Sequence, residues 1–232
     1  MPQSIVFKAV SDLTYKTMPF QEDYFEQGED PAQAADSEQK EKAGQCRLYR
    51  LLLEKYAGLI SEKEKKTIGE IKALVNAEDL TIQSIASDFK PEGYAFPKGY
   101  EQAAQNALDF VKKEICFVEP EINLNYWLSP KEIFSSRIGD DEDLAVFLCS
   151  LLYALGDEKA SVIISELDSL RTHAFVATEF SEKFFILDPS QKHGLHDFSG
   201  TKEESLKKYS FKGAKIKRFL YKFNRTAYEQ FM

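Results

Sequence analysis

The stretch "SRIGDDEDLAVFLCSLLYALG", residues 136–156, decides the fold. Asp140, Asp141, Glu142 and Asp143 crowd the mouth of a segment that turns apolar nearly all round, through Leu144, Val146, Phe147, Leu148, Leu151, Leu152 and Leu155. A helix apolar on every side belongs in a core, so this is the buried central helix, and Gly156 is placed to stop it. Acids in a first helical turn complement the helix dipole, and an Asp140 cap with Asp143 three residues on is an ordinary start. That accounts for much of the acidic cluster. Asp141 is either one more such acid or a carboxylate that pairs with His173.

Downstream of Gly156 the apolar period changes to two. "SVIIS" (161–165), "THAFVATEF" (172–180) and "KFFILDP" (183–189) read as strands, the last two joined by a tight turn near Ser181, and "KIKRFLYKF" (215–223) as a final strand. Upstream, Ala103, Ala104, Ala107, Leu108 and Val111 share one side of a helix over 100–115. "KPEGYAFPKGY" (90–100) breaks the pattern with two prolines and two glycines. Before it, Leu48, Tyr49, Leu52, Tyr56 and Leu59 predict an amphipathic helix over 45–60, and Ser61 with Glu64 predicts a capping box opening a helix with Ile68, Ile71, Leu74 and Val75. A shorter helix follows from Leu80 to Asp88. Residues 21–45 carry eight acids against two lysines and read as a solvated arm, while 5–20 suggest a short strand. The division expected is an acidic arm and helical extension over 1–90 and a second domain over 91–232. Helices followed by consecutive antiparallel strands give an α+β class.

Composition sets the outer limits. A chain of 232 residues, 43% apolar and 29% charged, is ordinary for a soluble globular protein. A formal charge of −8 argues against nucleic acid as the main partner. No apolar run approaches the roughly 18 residues that span a bilayer, and "SIVFKAV" (4–10) is too short for a signal peptide. Cys46, Cys116 and Cys149 are widely spaced and odd in number, which predicts no disulfide, no structural zinc and a reducing cytoplasm.

Three places carry the chemistry. The mouth of the central helix favours an anion or a thiolate. His173 stands at the head of one strand and Asp188 at the end of the next. Hairpin register decides whether they meet. A Phe180–Ser181 loop puts 173 opposite 188. A Ser181–Glu182 loop puts 188 opposite 175, which shares a face with 173, so either two-residue loop brings both side chains to one face. A three-residue loop separates them.

At these residues the chain resembles a known family. "YWLSPKEIFSSRIGDDEDLAVFLCSLLYALG" (126–156), "THAFVATEF" and "FFILDPS" (184–190) are similar to the three blocks of the transglutaminase-like superfamily. The resemblance is firm over 120–190 and extends over 95–225. It implies a papain-like core, a buried helix packed on an antiparallel sheet, and a Cys-His-Asp triad. The family's first block reads Gly-Asp-Cys-x-Asp, with Trp-x-x-Pro upstream. By that resemblance His173 takes the general-base position, Asp188 the position that orients it, and Trp127 the tryptophan lining the cleft. The nucleophile position falls on Asp141, where this chain departs from the pattern. Cys149 lies about 12 Å along the helix from it and should be packing, and Cys116 has no motif around it.

The leading expectation is therefore a domain without catalysis, its cleft kept as a binding surface for a peptide, protein segment or ligand. No cofactor, nucleic acid or membrane is implied, and oligomeric state is left open. The alternative is a hydrolase or amide-transfer enzyme using Asp141, His173 and Asp188 with water or a metal. Acyl transfer from an amide to Asp141 would give an anhydride, far less favourable than a thioester. The metal version would recruit His193, His196 and Asp197 from "DPSQKHGLHDF" (188–198). The basic run from Lys207 through Lys208, Lys212, Lys215, Lys217, Arg218 and Lys222 to Arg225 reads as the solvated face of a strand and its flanks.

Overall fold

Reciprocal side-chain caps mark where most of the helices begin. A computed structural model of the chain describes residues 31–120, 122 and 126–232, with side chains from residue 42 onward. The strand expected within 5–20 lies outside the described residues, as does the first part of the acidic arm. The chain divides into two units, Met1–Arg50 and Leu51–Met232. In order the elements are α1 (Pro31–Lys63), α2 (Ile68–Leu74), α3 (Leu80–Asp88), α4 (Tyr100–Glu114), β1 (Cys116–Phe117), α5 (Pro130–Ser136), β2 (Ile138–Gly139), α6 (Asp141–Ala154), β3 (Ser161–Leu167), β4 (Thr172–Phe180), β5 (Lys183–Leu187), β6 (Ser199–Gly200), α7 (Lys202–Lys208), β7 (Ile216–Phe223) and β8 (Tyr228–Gln230). No helix among the described residues is long and apolar enough to cross a membrane.

Two upstream expectations need correction. The helix expected over 45–60 is part of one longer helix that includes residues 31–45 of the acidic arm and runs through Ser61 to Lys63. Alanines and long-chain polar residues dominate 31–45, and these cost little in a helix. The capping box belongs to Thr67 and Glu70, not to Ser61 and Glu64. Thr67 accepts from the Glu70 N–H, and the Glu70 carboxylate accepts from the Thr67 N–H at 2.7 Å. The same reciprocal cap opens α5 (Ser129 with Glu132), α6 (Asp140 with Asp143) and α7 (Thr201 with Glu204).

The six-stranded sheet runs β6-β5-β4-β3-β7-β8, and each neighbouring pair is antiparallel. Strand alternation sorts its residues onto two faces. Val162, Ile164, Ala174 and Val176 meet α6, whose Leu144, Phe147, Leu148, Leu151 and Leu152 are fully buried between the sheet and helices α3 and α4. Truncating one of these leucines to Ala would cost about 2–5 kcal/mol. Ile163, Phe175, Ala177 and Ile186 face the other way, under Phe198, Tyr209 and Phe211. The β4–β5 turn is the two-residue loop Ser181–Glu182, both in the left-handed region at φ 49° and 61°. Phe180 pairs with Lys183 and Val176 with Leu187, so the register places 188 opposite 175. Gly156 closes α6 at φ 95°, a conformation costly for other residues.

The basic C-terminal run is largely spoken for. Lys217 and Arg218 both pair with Glu166, Lys212 pairs with Glu119, and Arg225 with Glu78. The Lys215 ammonium donates to the carbonyls of Lys207, Lys208 and Tyr209 at the end of α7, where a cation meets the negative end of the helix dipole.

Candidate functional site

Asp140 and Asp143 hold the mouth of α6 together. Asp140 Oδ1 accepts from the Asp143 N–H at 2.9 Å, and Asp143 Oδ1 accepts from the Leu128 N–H at 2.9 Å. The second bond ties the Trp127 segment to the start of the helix. These two acids are therefore structural, and Asp141 is left as the first helical residue with its side chain free to reach the sheet.

It reaches His173. Asp141 Oδ2 lies 2.7 Å from His173 Nδ1 and also accepts the backbone N–H of Ala174 at 2.8 Å. On the other side of the ring, His173 Nε2 lies 2.9 Å from Asp188 Oδ2. The two-residue β-turn explains why Asp188 can be there, because it puts the side chains of 173 and 188 on one sheet face. Asp141, His173 and Asp188 thus form one continuous carboxylate–imidazole–carboxylate contact. Phe211 stacks on the imidazole with ring centroids 3.7 Å apart and planes 12° from parallel, a geometry that favours a cationic ring.

Asp188 is held from every side. Tyr209 donates its hydroxyl to Oδ2 at 2.7 Å and Gln191 its amide at 2.6 Å, while Ser190 donates both backbone N–H and hydroxyl to Oδ1 at 2.9 and 2.6 Å. Burial alone would raise the Asp188 pKa, but His173 and these donors hold it below the usual carboxylate range. Burial likewise works against a charge on His173, and the hydrogen bonds and charges of Asp141 and Asp188 outweigh it, raising its pKa from 6.5 to about 9. Both ring nitrogens face acceptors, so the form that satisfies the site is the imidazolium, a donor at each nitrogen. The remaining acids at the helix mouth respond in the opposite direction. Burial, joined by the neighbouring carboxylates, pushes Glu142 up to about 8 and Asp143 to about 7, and raises Asp140 as well.

Trp127 is half-buried, edge-on to Phe223 with centroids 5.9 Å apart. It lines a cavity of about 390 Å³ together with Ile71, Glu142, Thr172, Tyr221 and Tyr228. Glu142 and Thr172 are the chain neighbours of Asp141 and His173, but Asp141, His173 and Asp188 do not themselves line this cavity. Cys149 is fully buried in α6, where burial pushes its thiol up. Cys116 is exposed on β1. His193 and His196 do not join the contact. His193 lies 3.5 Å from Asp197 and His196 2.9 Å from Glu101, both in exposed pairs. Among the described residues no group of three or more His, Cys, Asp or Glu side chains is arranged to hold a metal ion.

Tyr209, Phe211, Ser190 and Gln191 support the site and escape the sequence reading. Ser190 and Gln191 lie two and three residues after Asp188, and the Asp-Pro-Ser turn chemistry was the available signal for the first. Tyr209 and Phe211 come from beyond α7, and no local pattern marks them.

Among solved structures, the chain is similar to LapG of Legionella pneumophila. It is 15% identical to the EGTA-treated form, with a TM-score of 0.47, over 78% of this chain and 86% of that one. For the calcium-bound form the identity is 17% and the TM-score 0.42, over 67% of this chain and 87% of that one. No curated protein matches the chain. The family model described as a transglutaminase-like domain matches residues 62–213, a span that includes Trp127, Asp141, His173 and Asp188. The chain therefore belongs to the transglutaminase-like domain family.

Proposed function

We propose that this is a non-catalytic transglutaminase-like domain whose cleft beside Trp127 binds a peptide or protein segment. One observation carries the reading: both nitrogens of His173 are engaged by carboxylates, at 2.7 Å by Asp141 and 2.9 Å by Asp188. A general base needs an unprotonated nitrogen near the operating pH. An imidazolium with its pKa raised to about 9 has none to offer at neutrality. Asp141 in turn shares its Oδ2 between an imidazolium and a backbone N–H, which neutralises the charge an attacking carboxylate would use. In this reading the residues of a triad persist as an ion-paired brace that holds α6 against β4.

The cavity supplies the binding role. Trp127, Phe223, Tyr221 and Tyr228 give it aromatic walls, and aromatic side chains carry a large share of binding energy at recognition sites. A reducing cytoplasm is part of the same proposal, since Cys46 and Cys116 are exposed free thiols. The test pairs a binding assay with an activity assay. Fluorescent peptide mixtures should bind the purified protein, and Trp127→Ala should weaken that binding at least tenfold without any turnover being detected. Amide hydrolysis or transamidation that disappears in both Asp141→Asn and His173→Ala would overturn the proposal.

A further inference from the structure

A second cavity, of about 400 Å³, lies on the face of the sheet turned away from α6. Strand alternation gives it an apolar floor: Ile163 of β3, Ala177 of β4, Phe184 of β5, Phe219 of β7 and Phe231 just past β8. Phe219 and Phe231 meet edge-on with ring centroids 5.8 Å apart. The charged residues that line it, all exposed, are Lys159, Lys202 and Lys222 with Glu179 and Glu229. Lys222 stands opposite Ile163 on β3 and opposite Glu229 on β8. Among the described residues none of these three lysines is in an ion pair, whereas Lys212, Lys217, Arg218 and Arg225 each have a carboxylate partner. Cations thus outnumber acids around this cavity, on a chain whose formal charge is −8. A concave site lined by an excess of one charge draws in ligands of the other.

We propose that this cavity is a binding site separate from the cleft beside Trp127, and that its ligand is a small organic anion with a flat apolar body. The headgroup, a carboxylate, sulfonate or phosphate, lies between the lysines, and the body lies on the phenylalanines. The volume fits. An apolar cavity of about 150 Å³ takes one benzene, so this one has room for two fused rings and a headgroup. Pockets of this size with an apolar lining and a few polar groups at the edge hold small molecules. A protein segment laid across the mouth would have to desolvate lysines and glutamates together, whereas a small ligand fills the floor and leaves the glutamates in water. Every residue of the site lies within the unit Leu51–Met232. Phe219, Lys222, Glu229 and Phe231 lie beyond the residues that the family model matches.

Titration of the full chain with 8-anilinonaphthalene-1-sulfonate, followed by calorimetry, tests the site. The dye should bind with a Kd on the order of tens of micromolar, the range that a ligand of this size reaches. N-phenyl-1-naphthylamine, the same rings without the sulfonate, should bind about tenfold more weakly or worse, because the lysines have no charge to meet. The double variant Lys202→Glu, Lys222→Glu should weaken dye binding by about the same factor. Its thermal midpoint should match the wild type, since both side chains are exposed. Trp127→Ala should leave the dye affinity unchanged, which separates this site from the cleft. A wild-type chain that does not take up the dye overturns the proposal. So does a dye that the double variant binds as well as the wild type, a neutral analogue that binds equally, or an affinity that falls in Trp127→Ala.

Discussion

Replacing His173 with Gln should lower stability most at low pH and so change its pH dependence. The imidazole is 1% exposed, so solvent screening does little to soften its ion pairs. Its pKa rises from 6.5 to about 9 on folding, and each unit of difference is worth 1.36 kcal/mol. The folded value lies above the unfolded one, so the contribution is fully present below about pH 6.5 and is lost as the pH climbs through about 9. Across that window it amounts to about 3 kcal/mol. Glu142 and Asp143, raised to about 8 and 7, also favour the folded state at lower pH, so wild-type stability alone cannot isolate the histidine. The difference between wild type and His173→Gln can. Urea unfolding of both proteins from pH 6 to pH 9.5 should show the gap between them closing by about 3 kcal/mol. A gap that stays constant would mean that His173 folds as the neutral ring, and the ion-paired brace would be refuted.

Three further outcomes follow from the same geometry. Asp141→Cys puts a thiol at a helix N-terminus beside an imidazolium, so iodoacetamide should label it at pH 6 far faster than free cysteine, whose pKa is near 8.5, and His173→Ala should abolish the advantage. Tyr209→Phe removes one of the donors to buried Asp188 and should lower stability by about 1–2 kcal/mol in urea. Ellman's reagent should titrate Cys46 and Cys116 in the native protein, with Cys149 reacting only after unfolding.

The parts of the fold legible in sequence are those whose signal is local. Helix α6 announces itself because apolar residues occupy every side of it, and β4 and β5 because their side chains alternate around a two-residue turn. The convergence of His173 and Asp188 follows from that turn, and the sequence left open only whether the loop holds two residues or three. The starts of α2 and α5 carried equally local signals that the sequence reading passed over: Thr67 with Glu70, and Ser129 with Glu132 and proline in the first turn, are both capping boxes. The sequence could not say whether Asp141 was a cap or a partner of His173, because that depends on how α6 meets β4. Nor could it supply Tyr209 and Phe211, whose contacts with Asp188 and His173 bridge 21 and 38 positions of chain. Long-range packing brings such residues together, and a short window of sequence carries no trace of it.

The central claim is that His173 stands as an imidazolium between Asp141 and Asp188. Nitrogen-15 chemical shifts of its ring, recorded at pH 7 on uniformly labelled protein, test this most directly. The account predicts that both nitrogens carry a proton and that neither shift moves until the pH approaches about 9. One unprotonated, pyridine-type nitrogen at pH 7 would contradict it and return His173 to the role of a base.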